Sequence, residues 1–219
     1  LYEASLRLGM TTDTEDITGK VLSEAPSAVT EERFRAVAAE FVGALMQTPP
    51  MYSAVKVGGR PLYDLARKGR EVERPAKEIR VYSLDVTAFD EEAQTAQIKV
   101  FCGKGTYIRT LIADMGRILG CGAVMTALRR TEAGGFRESE CYTIAEVQEM
   151  MANGTLEAAL LPPKRLFDGL PRLELCDFDV HLYQNGVPLE LEKRGWGGIS
   201  GDIAVYDRRG KFLGVSYMD

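Results

Sequence analysis

Phe101-Cys102-Gly103-Lys104-Gly105-Thr106-Tyr107-Ile108-Arg109-Thr110 lies at the centre of the stretch from Thr95 to Arg130 that decides the fold. Before it, Ala96, Ile98, Val100 and Cys102 alternate with Gln97, Lys99 and Phe101, the period of a half-buried strand. After it, Ile108, Leu111, Ile112, Met115 and Leu119 recur at helical spacing, with Thr106 as the expected N-cap and Gly120 and Gly122 at the helix end. A glycine-flanked lysine, Lys104, therefore stands where a strand turns into a helix, a place where free N–H groups and the helix dipole favour an anion. Arg109 follows one turn into the helix, off the apolar stripe, and Tyr107 precedes it with a flat ring and a phenol. Arginine keeps its charge at any working pH and presents a rigid set of five donors, so it suits a carboxylate or phosphate and cannot act as a base. A nucleotide-binding P-loop is excluded by spacing: the motif needs glycine at position 98 and serine or threonine at 105, which are Ile98 and Gly105.

Outward from this stretch the chain reads as α+β, with antiparallel strands and helices against them. Tyr2, Ala4, Leu6 and Leu8 alternate with Glu3, Ser5 and Arg7 in an opening strand, and Ile79 to Phe89 and Ala123 to Thr131 read as further strands. Helices are expected after Thr30, over Pro61 to Arg67, and from Thr143 to Met151. Met10 to Gly19 is a polar loop whose Asp and Thr side chains can fix its shape through their own backbone. Pro49 and Pro50 break any helix in the arm from Gln47 to Lys56. Leu161-Pro162-Pro163-Lys164 marks an expected boundary between a larger domain over 1–163 and a small β-rich module over 164–219.

Composition excludes several classes. No apolar run approaches the roughly 20 residues that span a membrane. Four scattered cysteines without a Cys-x-x-Cys pair argue against zinc and suit a reducing cytoplasm. The single histidine, His181, leaves no Ser/His/Asp or Cys/His machinery in the central stretch. Net charge is −5, yet 56–80 and 101–131 each carry +4, leaving −13 elsewhere. Two basic segments on an acidic background fit a local polyanion site.

Four segments, in order, resemble the TruB-type tRNA pseudouridine synthases: Tyr2 with Arg7-Leu8-Gly9 and Thr12-Asp13-Thr14-x-Asp16-x-x-Gly19; Pro49-Pro50-Met51-Tyr52-Ser53-Ala54-Val55-Lys56; Gly105-Thr106-Tyr107-Ile108-Arg109; and Leu128-Arg129-Arg130. The resemblance implies a pseudouridine-synthase fold with a mixed, mainly antiparallel sheet, and isomerisation of a T-loop uridine of tRNA without cofactor or metal. It implies that the tRNA T-arm is the partner, with the target uridine flipped out, and no obligate protein partner is evident. By motif position it assigns catalysis to Tyr2 and Arg109, and substrate contact to Asp16, Lys56, Lys104, Tyr107, Leu128, Arg129 and Arg130. The C-terminal module resembles the family's RNA-binding tail, a PUA-like piece. The family's aspartate nucleophile stands in a Gly-x-x-x-x-Asp-x-x-Ala-x-Gly stretch that these residues do not contain, and Asp13, Asp16 and Asp114 lack that surrounding motif. Residues 1–219 are thus expected to be the downstream part of the enzyme and inactive alone. The competing readings are a noncatalytic RNA-binding or RNA-folding module, which uses the same basic segments and needs no nucleophile, and an anion-binding enzyme built on the Gly103–Arg109 turn alone.

Overall fold

The computed structural model describes residues 1–190, 198 and 200–218. In chain order the first elements are β1 (Tyr2–Leu8), β2 (Met10–Thr12), β3 (Val21–Glu24), α1 (Glu31–Glu40), β4 (Gly43–Gln47), β5 (Lys56–Val57), β6 (Arg60–Pro61) and α2 (Leu62–Ala66). They are followed by β7 (Lys77–Asp90), β8 (Thr95–Cys102), α3 (Ile108–Leu119), β9 (Ala123–Arg130), β10 (Glu132–Ala133) and β11 (Phe136–Arg137).

The central sheet has the order β4-β7-β8-β1-β9, and every pairing in it is antiparallel. One face of it turns Ala4, Leu6, Leu8, Ile98 and Val100 inward against Phe34, Val37 and Ala38 of α1 and Leu111, Ile112 and Met115 of α3. Burial of a dozen such side chains, each about 1.5–3 kcal/mol, is what holds the helices to the sheet. The strand-to-helix transition expected at the centre is present, with one correction. Thr106 is not the N-cap: its hydroxyl donates to the Gly103 carbonyl at 3.1 Å inside the turn, and Tyr107 is the capping residue without a side-chain bond of its own. Gly120 closes α3 in the left-handed region at φ 83°, as its position after the apolar stripe predicts.

Among the strands that escaped the sequence pattern are β3 and the edge strand β4. Val57 and Arg60 pair across Gly58 and Gly59, which form a hairpin tip.

Cα packing divides the chain into Leu1–Ser139 and Glu140–Asp219, upstream of the boundary expected at Pro163. The second unit holds α4 (Ile144–Ala152), β12 (Arg172–Leu175), α5 (Asp177–Gln184), β13 (Gly201–Asp207) and β14 (Phe212–Met218). Thr143 caps α4 in a full capping box with Glu146. β12 pairs parallel to β13, and β13 antiparallel to β14, around Leu173, Leu175, Ile203 and Val205. Among the described residues no helix is long and apolar enough to cross a membrane.

Candidate active site

All nine residues singled out in the sequence lie in the first unit. Arg109, half-buried in the first turn of α3, is a hub. Its Nη1 donates to the carbonyl of Thr14 at 3.0 Å and its Nη2 to the carbonyl of Tyr52 at 2.9 Å. One side chain thus ties α3 to the Thr12–Gly19 loop and to the proline-containing arm. The sequence suggested a carboxylate for this guanidinium. Among the described residues Arg109 makes no ion pair, and two of its five N–H donors are spent on carbonyls. The remaining three are available to an incoming anion.

The loop that receives Arg109 is held by its own polar side chains. Asp13 accepts from the Lys20 N–H at 2.8 Å, and Asp16 accepts from both the N–H (2.9 Å) and the hydroxyl (2.6 Å) of Thr18. The hydroxyls of Thr12 and Thr14 donate to the Asp16 carbonyl at 2.8 and 3.2 Å. Asp16 therefore shapes the loop, and its carboxylate is engaged there. The arm joins from the other side, the Tyr52 hydroxyl donating to Asp13 at 3.4 Å.

Tyr107 is fixed by a residue the sequence did not mark. Gln47 is 3% exposed at the end of β4; its amide accepts from the Tyr107 N–H at 2.8 Å and donates to the Tyr107 carbonyl at 3.1 Å. A polar residue at the inward position of an edge strand was the available signal, since a buried amide needs partners.

Tyr2 begins β1, opposite Arg130 of β9, and Ala4 is opposite Leu128. Tyr2, Leu128 and Arg130 therefore share one face of the sheet, and the Arg130 guanidinium lies 5.3 Å from the centre of the Tyr2 ring. Arg129 is opposite Glu3, on the other face, where it pairs with Glu138. An open depression of about 640 Å³ is bordered by Glu3, Ser5, Gln97, Lys99 and Arg129 and reaches Leu128, and it includes neither Tyr2 nor Arg109. The structure thus brings Leu128 and Arg130 to Tyr2 and turns Arg129 away. Lys56 and Lys104 are exposed, Lys56 on the β5–β6 hairpin and Lys104 in the turn before α3.

The Tyr2 hydroxyl has no hydrogen-bond partner among the described residues, so Tyr2→Phe removes no bond from the fold. Melting temperature should change little, while a reaction in which the hydroxyl moves a proton should slow on the order of a hundredfold. Parallel losses of melting temperature and rate would assign Tyr2 to the core instead.

Glu15, beside Arg109, was also silent in the sequence. Burial pushes its carboxyl above the ordinary value of 4.5, against the hydrogen bond from Thr110 and the charge of Arg109; Asp114 adds to the rise and Arg74 opposes it. A carboxyl whose folded value is raised stabilises the fold below its unfolded value, and this contribution is lost as pH rises through the folded value. Urea unfolding of the wild type and Glu15→Gln should therefore show the wild type losing ground to the variant as pH rises from about 4.5. A stability difference that stays flat over that window would contradict it.

Among the described residues no cluster of His, Cys, Asp or Glu could hold a metal ion. The Arg109 region offers a fixed guanidinium beside a polar, preshaped loop, and the end of β1 offers Tyr2 on one sheet face with Leu128 and Arg130.

Residues 1–108 match the family model described as TruB family pseudouridylate synthase (N terminal domain), and 109–168 that of the tRNA pseudouridylate synthase B C-terminal domain. Over 223 aligned residues the chain is 43% identical to tRNA pseudouridine synthase B of Ralstonia nicotianae, covering 98% of this chain and 69% of that protein. The chain belongs to the TruB family. The tRNA pseudouridine synthase B of Chromobacterium violaceum is also 43% identical, over 88% of this chain and 62% of its own length. The chain thus spans roughly two thirds of the TruB relatives it matches. The fold also matches a solved chain of a Cbf5-Nop10-Gar1 complex with a TM-score of 0.70 at 24% identity, covering 99% of this chain and 58% of that one. In this chain the junction between the two matched domains falls at Ile108/Arg109, the first turn of α3.

Proposed function

We propose that the protein to which these residues belong is a tRNA pseudouridine synthase acting on a T-loop uridine in the cytoplasm. The observation that carries this reading is the Arg109 hub, which stands at the start of α3 with the Thr12–Gly19 loop and the Tyr52 arm fastened to it, in a chain of the TruB family. A uridine inside folded RNA must leave its stack to be reached, and its flat face is then held by aromatic and apolar side chains. Tyr2 and Leu128 supply these from adjacent strands, with Arg130 and the exposed Lys56 and Lys104 facing the phosphates. Isomerisation breaks the bond from C1′ to N1 and makes one from C1′ to C5; N1 gains the proton that C5 loses, so no cofactor is consumed. The roles follow the family: an aspartate attacks the nucleoside, the open N–H groups of Arg109 hold that carboxylate, and Tyr2 stacks on the base and accepts the proton. The PUA-like second unit adds RNA contacts.

The carboxylates near Arg109 are committed elsewhere: Asp13 and Asp16 to their loop, Glu15 to Thr110, and Asp114 to Arg117 at 3.0 Å. A polypeptide limited to residues 1–219 is therefore expected to bind unmodified tRNA and leave its T-loop uridine unchanged, whereas the intact enzyme converts it. Chemical mapping of pseudouridine, an isomer invisible to mass, is the measurement. Conversion by residues 1–219 alone would make one of these four carboxylates the nucleophile. No conversion by the intact enzyme on any tRNA would overturn the reading.

A further inference from the structure

We propose that Glu15 is a positioning residue for the Arg109 site, its carboxyl fastening the Thr12–Gly19 loop to the first turn of α3. The inference rests on the function proposed above. The Thr110 hydroxyl, on a side chain only 6% exposed, donates to Glu15 Oε2 at 2.5 Å. Thr110 follows Arg109, and Thr14, whose carbonyl Arg109 binds, precedes Glu15. Two adjacent residues of α3 thus grip two adjacent residues of the loop. A single hydrogen bond leaves a loop free to pivot; two bonds donated by α3, one to the Thr14 carbonyl and one to the Glu15 carboxyl, fix its orientation.

The backbone at this point is itself constrained. Glu15 has φ 61°, a region that side chains other than Asn and Asp seldom occupy. It is held there by its N–H donating to the Thr12 carbonyl at 3.3 Å and its carbonyl accepting from Met125 at 3.2 Å. Next to it, the Ile17 N–H donates to the Met125 carbonyl at 2.8 Å. The loop is therefore pinned to β9 on one side and through Glu15 to α3 on the other, and β9 is the strand that carries Leu128 and Arg130. A glycine would adopt this φ without strain, so the carboxyl is what the position gains from a glutamate. Arg109 and Asp114 of α3 and Arg74 beyond the arm are the charged groups facing it.

The test compares wild type, Glu15→Gly and Glu15→Gln in the intact enzyme. It measures single-turnover pseudouridine formation, tRNA affinity, melting temperature and amide exchange of residues 13–19. Glu15→Gly relieves the backbone and deletes the anchor. It should lose tenfold or more in rate at unchanged tRNA affinity, with a melting temperature at or near that of the wild type and faster loop exchange. Glu15→Gln retains an acceptor for Thr110 and should recover most of the lost rate and the slow exchange. A wild-type rate in Glu15→Gly, or equal losses in Gly and Gln, would overturn the proposal, as would a rate loss matched by a fall in melting temperature that Gln fails to rescue. An intact wild type without activity would instead fail the functional reading, and loop exchange would still report on the anchor.

Discussion

Arg109→Lys should lower pseudouridine formation by the intact enzyme on the order of a hundredfold or more, with tRNA affinity changed by only a few fold. The charge survives the substitution; the geometry does not. Nη1 and Nη2 reach carbonyls from two separate segments, 95 and 57 residues away in the chain. A lysine ammonium on a flexible stem cannot span both and still present donors in the plane they define. Bonds of this kind to a charged group are worth about 1.5–3 kcal/mol each, and 1.4 kcal/mol is tenfold. Losing their combined orientation therefore accounts for two or more decades in rate. Affinity is spread over several phosphate contacts, so it should barely register the change. Near-normal turnover by the lysine variant would show that the guanidinium only braces the loop and the arm.

Gly116→Val should destabilise the first unit by about 3 kcal/mol, the upper part of the range for overpacking. Gly116 lies on the buried side of α3 where the helix meets the turn into β9. A Cβ there would sit 2.3 Å from the Ala123 nitrogen, 2.4 Å from the Gly122 carbonyl carbon and 2.6 Å from the Ala123 Cβ. Two of these neighbours are backbone, so relief requires moving the helix or the strand. The same turn is tied by the Cys121 and Gly122 N–H groups, which both donate to the Gly116 carbonyl at 3.2 and 3.0 Å. In a chain of this size 3 kcal/mol corresponds to a fall of about 6–12 °C in melting temperature. Alanine is the stricter variant: its helix propensity offsets about 1 kcal/mol, so it should fall less than valine yet still fall. An unchanged or raised melting temperature for either would mean that α3 can slide over β9, and with it Arg109.

The elements around Thr95–Arg130 were legible because a period of two gives way to helical spacing within a few residues, and β8 and α3 follow that switch. β4 was not, since its one buried side chain, Gln47, is polar and hides the alternation. The candidate site residues were read from short motifs, in which Tyr2, Arg109 and Leu128 stand. Their partners were not. The sequence pointed Arg109 at a carboxylate by charge, and the structure engages it with two carbonyls that no side-chain pattern announces. Glu15 and Gln47 were silent for the same reason: each acts on a group about 60 to 95 residues away. Arg129 and Arg130 looked equivalent as neighbours, and the strand's alternation puts them on opposite faces.

β1 lies between β8 and β9, so Tyr2 is opposite both Val100 and Arg130. During synthesis, at about 5–20 residues per second, the strand therefore waits on the order of ten seconds for its partners, with both edges unpaired. Pairings this distant in sequence are slow to close, which makes insertion of β1 the expected rate-setting event in folding. Until then the strand offers two rows of free N–H and C=O groups to any neighbouring chain. The surface formed by Tyr2, Leu128 and Arg130 comes into being only with the second closure, so a nascent chain completes that surface at the moment it loses its exposure to aggregation.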